Sequence, residues 1–344
     1  VTTRAMRTLS DTVTPAGIVA VCRTLVHDAA QVVGQDGVQD VGHDGAAEGP
    51  RDDVAHPPRL VTIGQALAEP GVRIFSDASN HASLIDGCRL ARARTVVVPH
   101  ADLDAIEAAL ERVTTNRALV LAEGVYSMGG DVTPVAKLVE ITHHHGALAV
   151  VDDAHGIGTV GPTGRGVTEG LPASQRPDVL LATASKALGV EGGFACVDET
   201  LADLIRNCAR GYAFSSASSP VVAAAVAASV QYLRADTNRV RRLQANVTQA
   251  RRLLAEAGLI PPPTANDLGP IIRVPVGPES RAVAVQDELA RRGLMVGAIR
   301  YPAVGRGDAI LRICLTAHHT DEHIQFLVAS LCDVLDAALT DAPR

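Results

Sequence analysis

The chain has 344 residues, of which 47% are apolar, 20% are charged and 2% are aromatic, and its formal net charge is −7. This length predicts one large and one small domain, and this balance is that of a soluble globular protein with an aliphatic core. The negative charge and the lack of a basic run argue against a nucleic-acid surface, and no apolar stretch reaches the length of a membrane span.

Two features of the sequence predict a cytoplasmic protein. The six cysteines, at positions 22, 88, 196, 208, 314 and 332, form no Cys-x-x-Cys pair. This scatter predicts free, mostly buried thiols in a reducing compartment and no metal site. No compact apolar segment with a cleavage site follows Arg4 and Arg7, so we predict no signal peptide.

Residues 1–60 differ from the rest of the chain. Their stretch 31–45 is rich in Gly, Asp and Val and has neither helical nor strand periodicity. Within the segment, residues 15–33 alone could form a helix. We therefore predict an atypical, largely disordered N-terminal segment over 1–60.

From residue 61 the hydrophobic pattern becomes regular, and a large domain is predicted over 61–235. Its predicted helices are 61–68, 82–92, 102–112, 134–145 and 220–234, and its predicted strands are 72–77, 95–98, 118–122, 147–151 and 179–183. This alternation predicts an α/β class with a mostly parallel sheet covered on both faces. Helix 220–234 is rich in Ala and Val, so we expect it to be buried.

A smaller C-terminal α+β domain is predicted over 236–344. It begins with the Arg-rich helix 237–257, which is expected to be a solvated connector. The further predicted strands are 270–275, 294–298 and 310–315, and the further predicted helices are 279–292 and 320–338. The alternative is that these strands extend the first sheet.

Polar side chains follow four of the predicted strands. In open α/β sheets ligands bind beyond the carboxyl ends of the strands, so these side chains predict a site at one edge. They are Asp77 to His81 after strand 72–77; Glu123, Tyr126 and Ser127 after strand 118–122; Asp152, Asp153 and His155 after strand 147–151; and Thr183 and Lys186 at the end of strand 179–183.

Lys186 stands out because the chain has one other lysine, Lys137, against 29 arginines. It follows the apolar run 179–182 and lies among small residues that let a ligand approach the backbone. An amine can form a Schiff base with a carbonyl, which a guanidinium cannot do. The alternative is an ordinary surface lysine in a loop.

Asp152 ends the apolar run 147–151, where a carboxylate is costly unless it is paired. A protonated pyridine nitrogen would be such a partner, since pyridoxal phosphate enzymes set an Asp opposite a Lys Schiff base. His155 could reach the ring hydroxyl or stack near it. The alternatives for Asp152 are a helix cap and a metal ligand, but no third acidic ligand lies near it in the sequence.

Two further residues are candidates for ligand contacts. His81 lies at the start of a predicted helix and could stack on a planar ring; the alternative is a capping or buried structural histidine. Arg312 interrupts an apolar strand, and a buried guanidinium requires a carboxylate, which an amino-acid substrate supplies. The alternative for Arg312 is an ion pair with an acid such as Asp308.

Several segments together resemble the α-oxoamine synthases, fold-type I pyridoxal phosphate enzymes that condense an amino acid with an acyl-CoA and release carbon dioxide. The match runs from about residue 61 to the C-terminus, and it implies the fold-type I transferase fold and a homodimer with sites at the interface. The segments are NHASLIDG at 80–87, EGVYSMGGD at 123–131, VDDAHG at 151–156, GRG at 164–166, TASK at 183–186, and Arg312.

The resemblance implies that four residues act on the cofactor and the substrate. Lys186 would form the Schiff base with pyridoxal phosphate and remove the Cα proton of the amino acid. Asp152 would keep the pyridine nitrogen protonated, and His81 would stack on the ring. Arg312 would bind the substrate carboxylate.

The resemblance also implies further contacts to the cofactor. Ser127 and His155 would hydrogen-bond the ring hydroxyl. Thr183 would hold the phosphate, together with Ser215 or Ser216 arriving from a second subunit.

The motifs leave the individual activity open. The chain looks most like the family member of biotin synthesis, which implies L-alanine and pimeloyl-CoA as substrates; glycine C-acetyltransferase shares all of these motifs. An aminotransferase is a third interpretation.

One motif of the family is not found. It is an N-terminal Ser-Gly-aromatic-x-Ala-Asn segment that binds the phosphate, and residues 54–60 read VAHPPRL where it should lie. The hypothesis that follows is an out-of-frame or rearranged N-terminus, and the alternative function is a catalytically defective relative that partners an intact synthase.

Overall fold

The computed structural model describes residues 21–23, 67, 71–91, 93–113, 117–209, 212, 214 and 219–340. The described residues up to Val125 form one compact unit with Thr133–Thr237, and Tyr126–Val132 form a second with the residues from Asn238 onward. The predicted change of domain at residues 235–236 lies close to this division. The short segment Tyr126–Val132, which was expected in the large domain, groups with the second unit.

In the described part of the first unit, seven strands form one sheet. The strands are β1 (Val21–Arg23), β2 (Arg73–Asp77), β3 (Arg94–Val98), β4 (Ala118–Glu123), β5 (Leu148–Asp152), β6 (Val179–Thr183) and β7 (Gly193–Val197). The helices are α1 (Ala82–Leu90), α2 (Leu103–Leu110), α3 (Val135–His144), α4 (Glu199–Cys208) and α5 (Pro220–Ala235), with a short 3-10 helix at Ala173–Gln175. The strand order is β1-β7-β6-β5-β4-β2-β3, and β6 pairs with β7 in antiparallel fashion while the other neighbours are parallel.

The strands in the middle of this sheet are apolar on both sides, and both faces are covered. All six residues of β4 are buried. Val120 contributes to the core that contains residues of α2 and α3, whereas Leu119 and Leu121 contribute to the core that contains residues of α1 and α4. This continuous apolar run is typical of a parallel strand between two helical layers.

The structure corrects two expectations about this unit. Strand β7 and helix α4 follow Lys186, in a part of the chain for which no strand or helix was predicted. Helix α5 was predicted to be buried, but Ala223 and Val226 are its buried residues, while Val221 is 73% exposed. Its apolar residues surround the whole helix, so one face alone can pack against the sheet.

The predicted segment 1–60 lies outside the described residues except for β1. Val21–Arg23 pairs in parallel with Ala195–Val197 of β7, so these three residues are not part of the helix expected over 15–33. The predicted helix 61–68 also lies outside the described residues, apart from Leu67, which is helical.

The second unit has its own antiparallel sheet, in the order β8-β10-β9. The strands are β8 (Ile271–Gly277), β9 (Gly297–Ile299) and β10 (Ala309–Cys314), and the helices are α6 (Asn238–Glu256), α7 (Glu279–Arg291) and α8 (Asp321–Thr340). These strands therefore do not extend the first sheet. Helix α6 is more than the predicted connector, because Val247 and Leu254 are buried in the core of this unit.

The five cysteines whose side chains are described are free, as predicted, but they are not mostly buried. Cys88 and Cys196 are buried, Cys332 is half-buried, and Cys208 and Cys314 are exposed. No helix among the described residues is long and apolar enough to cross a membrane.

Candidate active site

The strand register of the first unit brings the predicted strand ends to one edge of the sheet. Glu123 at the end of β4 pairs with Asp152 at the end of β5, and Asp152 pairs with Leu181 of β6. Because β2, β4, β5 and β6 run in parallel, their carboxyl ends share this edge. The sheet therefore places the segments that carry His81, Asp152 and Lys186 at the same edge, as predicted.

Asp152 is a buried carboxylate at the centre of this edge. Its side chain is 4% exposed, and its Oδ1 accepts the backbone N–H of Ala154 at 3.0 Å. Its carbonyl oxygen accepts the N–H of Gly124 at 2.7 Å, which joins the end of β5 to the turn after β4. A carboxylate held in this way is suited to a cationic hydrogen-bond donor, which repays the cost of its burial.

Lys186 lies at the tip of the hairpin that joins β6 to β7. Thr183 is the register partner of Gly193, and the N–H of Ala184 donates to the carbonyl of Gly192 at 2.8 Å. The carbonyl of Lys186 accepts the N–H of Gly189 at 3.0 Å, so the turn is closed by its own backbone. The unpredicted strand β7 is thus the element that fixes the position of this lysine, whose side chain is exposed.

Thr183 has its hydroxyl engaged within the same hairpin. Its Oγ1 donates to the carbonyl of Gly192 at 2.7 Å, accepts the N–H of Ser185 at 3.1 Å, and lies 2.7 Å from the Ser185 hydroxyl. Phosphate binding by this hydroxyl, as implied by the resemblance, requires one of these bonds to be exchanged. The predicted phosphate partners Ser215 and Ser216 lie outside the described residues.

His81 caps helix α1 at its N-terminus. Its Nδ1 accepts the N–H of Ser83 at 3.2 Å, and the residue is exposed. The preceding Asn80 anchors the segment to the sheet, because its Nδ2 donates to the carbonyl of Leu121 at 2.9 Å. His81 therefore serves as a helix cap, and its stacking on a cofactor ring stays a prediction.

His155 and the loop after it form the last part of this edge. The imidazole of His155 is half-buried, and its carbonyl accepts the hydroxyl of Thr159. Glu169 fixes the far side of the loop by accepting the N–H groups of Thr163 and Arg165. Burial alone would raise the pKa of Glu169, but the hydrogen bonds from Thr163 and Arg165, together with the charge of Arg165, outweigh burial and lower it.

Sequence reasoning gave no role to Asp153, which the structure places among the most buried polar residues. Burial raises the pKa of its carboxyl well above the ordinary range, a hydrogen bond from the N–H of Val167 opposes this rise, and the nearby charge of Asp152 adds to it. Two successive acids at the end of a buried strand are a signal that indicates such a residue.

In the second unit, Arg312 and Ser127 lie together. The Nε of Arg312 donates to the carbonyl oxygen of Ser127 at 2.6 Å, and its Nη1 donates to the sulfur of Cys314 at 3.1 Å. Among the described residues no carboxylate lies within 4.0 Å of this guanidinium, so the ion pair with Asp308 that was the alternative is not formed. The remaining N–H groups of the half-buried Arg312 can take a ligand carboxylate.

The chain is similar to several known proteins. Residues 59–331 match the family model of aminotransferase class I and II. The biotin biosynthesis bifunctional protein BioWF of Cutibacterium acnes is 81% identical over 280 residues, which are 81% of this chain and 43% of that protein. The chain therefore spans less than half the length of this bifunctional relative.

Two further similar proteins are a synthase and a transferase of known structure. The 8-amino-7-oxononanoate synthase of Burkholderia cenocepacia is 40% identical over 275 residues, which are 79% of this chain and 69% of the synthase. A serine palmitoyltransferase from S. paucimobilis, solved with a bound PLP–myriocin aldimine, has a TM-score of 0.77 and 30% identity over 84% of this chain and 73% of that one. The predicted fold class and the predicted resemblance to the α-oxoamine synthases are thus confirmed.

Proposed function

We propose a function on the premise that this chain belongs to the aminotransferase class I and II family. The chain is a pyridoxal phosphate-dependent acyltransferase that condenses an amino acid with an acyl-CoA and releases carbon dioxide. The observation that carries this proposal is the pairing of two neighbouring strand ends. Strand β5 ends in the buried carboxylate of Asp152, and strand β6 leads into the hairpin that presents the amine of Lys186.

The described residues fit this cofactor. Asp152 offers a buried carboxylate to a protonated ring nitrogen, and Lys186 offers an exposed amine to an aldehyde carbon. His81 follows β2 at the same sheet edge, and its Nδ1 caps α1. When bound, pyridoxal phosphate supplies an electron-withdrawing ring that stabilises the charge left at the Cα of the amino acid.

In this proposal each residue of the chain has one task. Lys186 would hold the cofactor through its amine and would take up and return the Cα proton of the substrate. Asp152 would keep the proton on the ring nitrogen. Arg312 orients the amino acid through its carboxylate, since its guanidinium has no acidic partner among the described residues. His155, Ser127 and Thr183 supply the hydrogen bonds that the resemblance implies.

The substrates follow from the most specific similarities. The names of the relatives at 81% and 40% identity support an 8-amino-7-oxononanoate synthase activity, with L-alanine and pimeloyl-CoA as substrates, in biotin synthesis. A homodimer in the cytoplasm is part of the same proposal. Glycine C-acetyltransferase activity is the alternative, because the two activities share the motifs at Lys186 and Asp152.

The test uses the unusual lysine content of the chain. The purified protein is mixed with pyridoxal phosphate, its visible absorbance is recorded, and the adduct is reduced with borohydride and mapped. The chain has 31 Lys and Arg residues, and two of these are lysines, so the label can go to Lys186, to Lys137 or to the α-amino group of the chain, which peptide mapping distinguishes. Lys137 is exposed on α3 and pairs with Glu140, which makes Lys137→Ala the matched control for Lys186→Ala.

We expect a visible band and a label on Lys186, both lost in Lys186→Ala and both kept in Lys137→Ala. Thiol release from pimeloyl-CoA with alanine, and from acetyl-CoA with glycine, then distinguishes the two activities. A colourless wild-type protein without label would reject the enzyme and favour the catalytically defective relative.

A further inference from the structure

Asp153 is buried in a way that the proposed reaction does not yet use. It lies one residue beyond β5, is 0% exposed, and its Oδ1 has no hydrogen-bond partner among the described residues. Its Oδ2 accepts the N–H of Val167 at 3.0 Å, and its own N–H donates to the carbonyl of Leu181 in β6 at 2.7 Å. One residue thus joins the end of β5 to β6 and to the loop that ends at Val167.

Three glycines enclose this carboxyl group. A methyl group on Gly124 would lie 2.5 Å from Oδ1, and methyl groups on Gly156 and Gly166 would overlap Oδ1 and Oδ2 respectively. These glycines belong to three separate segments, namely the turn after β4, the turn after β5 and the loop before Val167. The carboxyl group therefore packs directly against backbone on several sides, and its size and shape set the spacing of these segments.

The surroundings also decide the charge of this group. No basic side chain pairs with Asp153 among the described residues, and its neighbour Asp152 is itself a buried acid. A buried carboxylate without a cation is strongly disfavoured, and two adjacent carboxylates disfavour each other. The closed surroundings of Asp153, without a basic partner and next to another acid, therefore favour its neutral form.

We propose that Asp153 is a positioning residue, which acts as a neutral acid inside the glycine cage and holds the segments that carry Asp152 and His155 in place. The catalytic meaning of this role rests on the proposed function, while the neutral state and the packing do not. Asn has nearly the same size as a protonated Asp and can also accept the N–H of Val167, so Asp153→Asn should preserve the packing inside the cage. Ala leaves the cage empty, and Glu is too long for it.

The experiment compares Asp153→Asn, Asp153→Ala and Asp153→Glu with the wild-type full-length chain. Thermal unfolding is measured first, without pyridoxal phosphate. We expect Asp153→Asn to unfold at the wild-type temperature or above it, and Asp153→Ala and Asp153→Glu to unfold at least about 4 °C lower. If the unfolding temperature falls as far in Asp153→Asn as in Asp153→Ala, the neutral state of Asp153 is refuted. If the unfolding temperature of Asp153→Ala equals that of the wild type, the positioning role is refuted.

The second readout is the visible band with pyridoxal phosphate and its dependence on pH. Asp153→Asn should leave the pH midpoint of this band unchanged, whereas the same substitution at the adjacent position, Asp152→Asn, should abolish the band or shift it. A shift of about one pH unit or more in Asp153→Asn would show that a charge on Asp153 acts on the site and would overturn the proposal. If the wild-type protein takes up no cofactor, the proposed function fails, and the unfolding series still decides the state of Asp153.

Discussion

Gly166→Ala tests the glycine cage around Asp153 with a matched control elsewhere in the same loop region. Gly166 has a φ of +87°, and a methyl group on it would overlap Oδ2 of Asp153 and lie 3.0 Å from Cδ1 of Ile157. The carboxyl group cannot swing away, because Gly124 and Gly156 close its other sides. The substitution therefore combines backbone strain with a steric overlap that has no local relief.

The two contributions can be separated in magnitude. A non-glycine residue in the left-handed region costs about 1–2 kcal/mol, and overpacking a closed site costs about 1–3 kcal/mol. Gly170 has a φ of +80°, and a methyl group added to it would meet nothing within 4 Å, so Gly170→Ala carries the strain without the overlap. Gly166→Ala should thus be less stable than Gly170→Ala by about 2 kcal/mol, or roughly 4–8 °C in Tm for a unit of this size.

The assay is thermal unfolding of both variants and of the double variant Gly166→Ala with Asp153→Ala. Removing the carboxyl group opens the cage, so the two substitutions should be less destabilising together than the sum of their separate effects, by about 1–3 kcal/mol. Equal melting temperatures for Gly166→Ala and Gly170→Ala, or strict additivity in the double variant, would refute the argument that these groups are in rigid contact.

Three further predictions follow from individual contacts. Arg312→Gln should raise the KM for the amino acid about 10–100-fold because a charged hydrogen bond to the substrate carboxylate is lost. Arg252→Gln, on the exposed face of α6, is the control, and an unchanged KM in Arg312→Gln would contradict the assigned role. Thr183→Val should lower the free energy of unfolding by about 1–3 kcal/mol, since it leaves the carbonyl of Gly192 without its hydroxyl donor. A denaturant titration that gives the wild-type free energy of unfolding for this variant would show that the hydrogen bond is dispensable. Because the pKa of Asp153 is raised in the folded state, the wild-type chain should lose stability as pH rises from the ordinary Asp pKa of about 4 towards the folded-state value. The Tm of Asp153→Asn should therefore rise relative to that of the wild type over this window. A difference in Tm between the two proteins that stays constant from about pH 4 to about pH 7 would contradict the raised pKa.

Much of the fold could be predicted from local pattern. The runs 118–122 and 179–183 are continuously apolar, and such runs between amphipathic helices are typical of a parallel sheet. Strand β6 was predicted at its observed bounds, Val179–Thr183. The candidate Asp152 was also predictable, because a carboxylate that ends a buried strand is costly unless it is paired.

Other features needed the fold. The run Gly193–Val197 is a short apolar stretch behind two glycines, and its pairing with β6 depends on a register that no local period encodes. Helix α5 has an apolar composition on all sides, and composition alone does not tell which face meets the sheet. The contact from Arg312 to the carbonyl of Ser127 spans 185 positions in the chain, so it lies beyond any argument from neighbours in sequence.

The amino-acid sequence by itself determined the alternation of strands and helices, the family resemblance and the residues Lys186, Asp152 and Arg312, because these follow from local periodicity and from residue chemistry. The tertiary structure alone decided that Lys186 lies on a closed hairpin and that Asp153 is caged by three glycines. Both features arise from backbone segments that approach each other through strand pairing and loop packing, and the free energy of a buried carboxyl group depends on what those segments leave around it.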